Sequence, residues 1–171
     1  MRISQNFKVL FICLLVCQIA ICNFASLGPY IMLSILPAMI MCRPLSVGTA
    51  RCMFIAFVSG LVVDWLSEGL IGINAASLVP VALARKTIIR IFLGEDLIAR
   101  SDSFTFKKNG IGKISIALIT ALSIFFGIYV ILDSAGTQPT SFNIIRFAAS
   151  VAASFILSLL VTAVLTPDDR K

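Results

Sequence analysis

The chain has 171 residues, of which 59% are hydrophobic and 13% charged, about half the ~25% charged content of a soluble domain. That balance excludes an intrinsically disordered chain and leaves too little polar surface for a soluble globule, so the natural class is a multi-pass membrane protein. There is no histidine, which removes Ser-His-Asp and Cys-His nucleophile systems and imidazole metal sites.

Six apolar segments follow one another along the chain, at about 9–25, 27–42, 52–66, 71–84, 114–132 and 147–165. The last two are uncharged and run 19 residues each, close to the ~20 needed to cross a bilayer as a helix. Segments two to four are shorter and carry Pro29, Pro37, Gly72, Asn74 and Pro80, so they either borrow flanking residues, thin the bilayer locally, or are broken and partly buried in protein. Arg2 and Lys8 before the first segment resemble a signal peptide. Asn23-Phe24-Ala25 lacks the small residue of a cleavage site, so this segment reads as a retained span. The expected fold is all-α, one integral membrane domain over 1–171 with about six transmembrane helices.

The +6 net charge is read from where the cations fall. Against six spans, 13 of the 14 Lys and Arg residues lie on one side, seven of them in the connection 85–113. Arg146 alone lies on the other side. This is a positive-inside pattern. It places both termini and the basic connection 85–113 in the cytoplasm of a multi-pass membrane protein. No aromatic-and-basic stripe accompanies the charge, so nucleic acid is not an expected partner.

Polar residues inside apolar segments are expensive in lipid and mark function or packing. Ala56, Gly60 and Asp64 are four residues apart and share one helical face, a small-residue groove that admits a second helix closely. Gln18, Asn23, Asp64 and Asn74 fall toward the extracytoplasmic side and form a candidate polar cleft. Asp64 reads either as a solvated span end or as a hydrogen-bonding anchor to a neighbouring helix. Ala149 and Ala153, with Ser150, Ser154 and Ser158 beside them, form a helix-packing surface.

Other chemistry is poorly supported. Asp64 and Asp133 share no motif that makes them an aspartic dyad. The five cysteines, Cys13, Cys17, Cys22, Cys42 and Cys52, form no Cys-x-x-Cys and read as small apolar residues. No catalytic residue, metal site or cofactor is expected.

The stretch from Phe57 to Ala76 resembles the central signature of the MreD family of rod-shape-determining membrane proteins, through Gly60, Asp64, Ser67, Gly69, Gly72, Ala75 and Ala76. The first span, with Gln18, Asn23 and the following Pro29-Tyr30, is also similar. The resemblance covers about residues 9–90. It implies a non-enzymatic membrane scaffold subunit of the bacterial cell-elongation machinery for lateral peptidoglycan synthesis. The implied partner is an MreC-like single-span protein in the lipid bilayer, working with MreB, a RodA-like polymerase and a class B penicillin-binding protein. The implied fold is similar to the S-components of energy-coupling-factor transporters. That similarity supplies an alternative, a small-molecule subunit binding a vitamin or metal for a transporter.

Overall fold

The computed structural model describes residues 3–24, 28, 30–68, 70–94, 110–135 and 138–165. The described residues form six α-helices and no strand. They are α1 (Ile3–Phe24), α2 (Leu36–Met41), α3 (Thr49–Val63), α4 (Ile73–Leu93), α5 (Ile111–Ser134) and α6 (Thr140–Leu165). A π-helical turn, Asp64–Glu68, continues α3. Among the described residues, three helices are long and apolar enough to cross a membrane: Thr49–Ser67, Ile111–Ser134 and Thr140–Leu165. The apolar part of α1, Val9–Phe24, is shorter. With 21 residues, α4 has spanning length, but Arg85, Lys86 and Arg90 interrupt its second half.

The outward faces of the long helices carry Val9, Ile12, Val16, Phe54, Ile116, Ile131, Ile156 and Leu160, all exposed. Contiguous apolar surface of this kind suits lipid tails rather than water. Phe24, Tyr30 and Trp65 are exposed near the end of the bundle that carries Asp64, where aromatic rings mark a membrane interface.

The second apolar segment corrects the expectation of a helix over 27–42. Residues 31–35 leave the helix, with Ile35 turning back into helical backbone as the N-cap, and only the six residues of α2 are helical. The reason is reach. The Tyr30 ring packs at a tilt against Phe142 near the start of α6, with ring centroids 5.0 Å apart. The Cys42 thiol lies 3.5 Å from the Thr162 hydroxyl near its end. Those α6 positions are separated by about 30 Å at 1.5 Å per residue. A helix from 30 to 42 would cover only ~18 Å. Four extended steps to Ser34, followed by helical rise to Cys42, cover about 25 Å. Pro37, in the first turn of α2, starts the helix where its missing N–H costs nothing. We refer to residues 30–35 as the strap.

The strap leads α2 into the centre of the bundle. All six α2 residues are buried, packed among α4, α5 and α6. Around them lie Leu78, Val81 and Ile89 of α4 and Leu118, Leu122, Phe125 and Phe126 of α5. In chain order, α3 packs on α4, α4 on α5, and α5 on α6.

The α3–α4 crossing is the tightest contact. A methyl group at Gly60 would lie 2.5 Å from the Ala75 Cα and 2.6 Å from its backbone nitrogen. Ala56, one turn before Gly60, is fully buried on the same face. Gly60 sits at this contact, and Ala56 is buried in the core. On α6, Ala149 and Ala153 are half-buried, and the wholly buried row is Ser150, Ser154 and Ser158.

Gly60→Ala is expected to push α3 from α4, because the obstructing atoms are backbone and cannot rotate away. A loss of about 2 kcal/mol would show as a lower melting temperature of the detergent-purified protein. An unchanged melting curve would contradict the close approach.

Candidate functional site

The residues picked out as a polar cleft divide into two hydrogen-bonded centres. One is built on Asp64, which is fully buried where α3 passes into its π-helical turn. Its carboxylate accepts from the backbone N–H of Gly72 at 2.9 Å, Asn74 at 3.0 Å and Ala75 at 3.3 Å. The Asn74 side-chain amide donates a fourth bond at 2.9 Å.

The geometry is a helix N-cap supplied from a distance. Gly72 is the N-cap residue of α4, with φ +108°, and makes no side-chain capping bond. A residue with a Cβ is strained at that angle, and glycine is not. Glycine has no oxygen to cap with, so the first N–H groups of α4 need an acceptor from elsewhere. Asp64 provides it, and its negative charge sits at the positive end of the α4 dipole. Asp64 is thus an anchor to a neighbouring helix and not a solvated span end.

The second centre is built on Gln18, which α1 places opposite the strap. Its side-chain oxygen accepts from the Ile35 N–H at 2.7 Å, and its amide donates to the Leu33 carbonyl at 3.1 Å. From the other side, α6 contributes two serines. The Ser150 hydroxyl accepts from the Met32 N–H at 2.9 Å. The Ser154 hydroxyl accepts from the Ser34 N–H at 3.0 Å and lies 3.3 Å from the Met32 carbonyl, to which it donates. The strap is therefore a backbone held between two helices by side chains.

Asn23 belongs to neither centre. It is exposed, and its amide donates to the Leu66 carbonyl at 3.3 Å, tying α1 to the π-helical turn. Cys22 receives a Gln18 N–H at 3.0 Å. Asp133 ion-pairs with Arg146 between α5 and α6, and Arg146 also reaches the Met32 sulfur at 3.9 Å. Asp64 and Asp133 are thus engaged with different partners. Among the described residues, no group of three or more His, Cys, Asp or Glu side chains could hold a metal ion.

Arg85 is the residue whose placement departs most from the sequence reading. It was expected in the basic connection starting at 85, yet α4 continues to Leu93 and buries it. Its guanidinium donates to the Met41 carbonyl at 3.3 Å and to the Arg43 carbonyl. These are carbonyls left open where α2 ends, so a positive charge sits at the negative end of a helix. Arg43 itself stands over the rings of Phe7 and Phe11, at 5.8 and 5.0 Å from their centroids. The residues from 95 to 109, which hold the rest of the expected connection, lie outside the described residues.

Comparison with protein-family models, with curated proteins and with solved structures finds no match.

The two centres predict graded losses. Asp64→Leu leaves buried N–H groups of α4 without an acceptor, each costing about 1–3 kcal/mol. Asp64→Asn keeps one acceptor oxygen and should fall between Leu and wild type in thermal melts. Ser154→Ala should destabilise by about 1–2 kcal/mol, whereas the neighbouring Ala153→Ser should be close to neutral. Equal melting temperatures for the two α6 variants would remove the strap contact from consideration.

Proposed function

We propose that this protein is a non-enzymatic scaffold subunit of the bacterial lateral wall-synthesis machinery, of the MreD kind. On this reading it lies in the inner membrane with both termini in the cytoplasm. It binds an MreC-like single-span partner and, directly or through it, MreB, a RodA-like polymerase and a class B penicillin-binding protein.

One observation carries the choice between a scaffold and a small-molecule carrier. The Asp64 carboxylate accepts four hydrogen bonds from Gly72, Asn74 and Ala75 at the start of α4. The acid at the heart of the family-like signature is spent on architecture. Gly60 beside it admits α4, and Gly72 makes the turn that Asp64 caps. Gln18, which a carrier would turn toward its ligand, is likewise occupied by the strap. A protein whose inward polar groups hold its own backbone is suited to presenting a fixed outer surface to other helices.

Charge along the bundle supports the sidedness. Arg43, Arg51, Arg85, Lys86, Arg90 and Lys113 gather at the end opposite Asp64 and Asp133. That segregation is what a cytoplasmic face requires.

Affinity purification of the tagged protein from bacterial membranes tests the proposal. The expected outcome is co-purification of a single-span MreC-like protein and wall-synthesis enzymes, reduced severalfold by Asp64→Leu. Recovery of a transport ATPase module and a bound small molecule would replace the scaffold with a carrier.

A further inference from the structure

Met32 is the strap residue that α6 holds at both backbone groups. Its N–H donates to Ser150, and its carbonyl accepts from Ser154. Its side chain also meets α6. The Arg146 guanidinium, one turn before Ser150, reaches the Met32 sulfur through Nη2 at 3.9 Å. Through Nη1 the same guanidinium pairs with Asp133 near the end of α5. One side chain thus joins α5, α6 and the strap.

A thioether is a weak acceptor, so this guanidinium N–H gains little from its present partner. Oxidation turns the thioether into a polar, chiral sulfoxide. An oxygen added to the sulfur closes the remaining gap to about 3 Å, the span of an ordinary N–H···O bond. Three rotatable bonds let the side chain turn that oxygen toward the guanidinium. The site is also reachable. Met32 is half-buried, and the side chains of Arg146 and Asp133 keep 17% and 19% of their surface exposed. Met39 and Met41, in α2, have no exposed surface.

We propose that Met32 is a reversible oxidation site, with hydrogen peroxide as the oxidant and Arg146 as the receiver of the sulfoxide. One peroxide oxygen passes to the sulfur. The O–O bond breaks, an S–O bond forms, and water leaves. The sulfur loses two electrons and the peroxide gains them. No charge on the protein changes, so the Asp133 pair persists. Methionine oxidation ordinarily disrupts apolar packing. Here the new oxygen accepts a charge-assisted bond from Arg146, added to the two serine bonds on the same residue. Oxidation therefore tightens the strap against α6, and sulfoxide reductases release it. This inference is independent of the scaffold reading, because it rests on the contact of α5, α6 and the strap alone.

The test uses the detergent-purified full chain carrying Met53→Leu, which removes the other half-buried methionine of the described residues. It is treated with hydrogen peroxide and then with a thiol reductant, which restores reversibly oxidised cysteines. Peptide mass spectrometry should find one added oxygen on Met32 and none on Met39 or Met41. The oxidised protein should melt about 2–4 °C above the untreated one, from one added charge-assisted bond. Met32→Leu in the same background should show no shift on treatment. In Arg146→Leu, oxidation of Met32 should lower the melting temperature, because the sulfoxide then lacks its donor. If Arg146→Leu does not fold, Met32→Gln supplies the acceptor oxygen without oxidant and should melt above Met32→Leu. An unoxidised Met32, or no rise in melting temperature on its oxidation, would overturn the proposal. So would the same rise in Met32→Leu or Arg146→Leu, or a Met32→Gln protein that melts no higher than Met32→Leu.

Discussion

A peptide backbone that leaves the helix inside an apolar bundle has to find its hydrogen bonds from side chains, because neither water nor lipid supplies them. The strap at 30–35 is that backbone here. Gln18 satisfies it from α1, and Ser150 and Ser154 satisfy it from α6. The period of the two elements makes the match possible. Four residues of α6 rise about 6 Å, and two residues of an extended chain rise about 6.6 Å. Serines four apart therefore meet alternate N–H groups of the strap, Met32 and Ser34. The position of α2 at the centre of the core follows from this arrangement.

The same economy governs the buried charges. Asp64 and Arg85 lie at opposite ends of the bundle, and each is almost fully inaccessible. Each is met by backbone groups at a helix end. Asp64 takes the open N–H groups at the start of α4, and Arg85 takes the open carbonyls where α2 ends. A full charge against a helix end is a favourable pairing that also closes the unsatisfied groups of that end. At the surface, by contrast, Arg146 and Asp133 form an ordinary partly exposed ion pair.

Much of this arrangement was legible from residue types and spacing. Five of the six apolar segments become long helices, because an uninterrupted apolar run has few other ways to satisfy its backbone in lipid. The four-residue spacing of Ala56, Gly60 and Asp64 identified the face that meets α4. The strap was legible only as one of the options for a short, proline-bearing segment, because hydropathy registers apolar content and not conformation. Residues 27–42 are as apolar as a helix would be. Arg85 was hidden by the logic of sidedness, which counts every cation as a marker of a loop. Its acceptors lie 42 and 44 residues earlier in the chain. The serines of α6 looked like small packing residues because the backbone they hold is 118–122 residues away.

Those last separations bear on how the protein is made. The strap is synthesised well before the serines that hold it. At ribosomal rates of about 5–20 residues per second, the intervening 118 residues take roughly 6–24 s. For that interval Gln18 is the partner already in place, and the three bonds from Ser150 and Ser154 to the strap have yet to be made. The final helix thus completes the interior as well as extending the bundle. A nascent chain stalled before α6 carries an open seam along its middle, which is where membrane quality control or an assembly partner would find it.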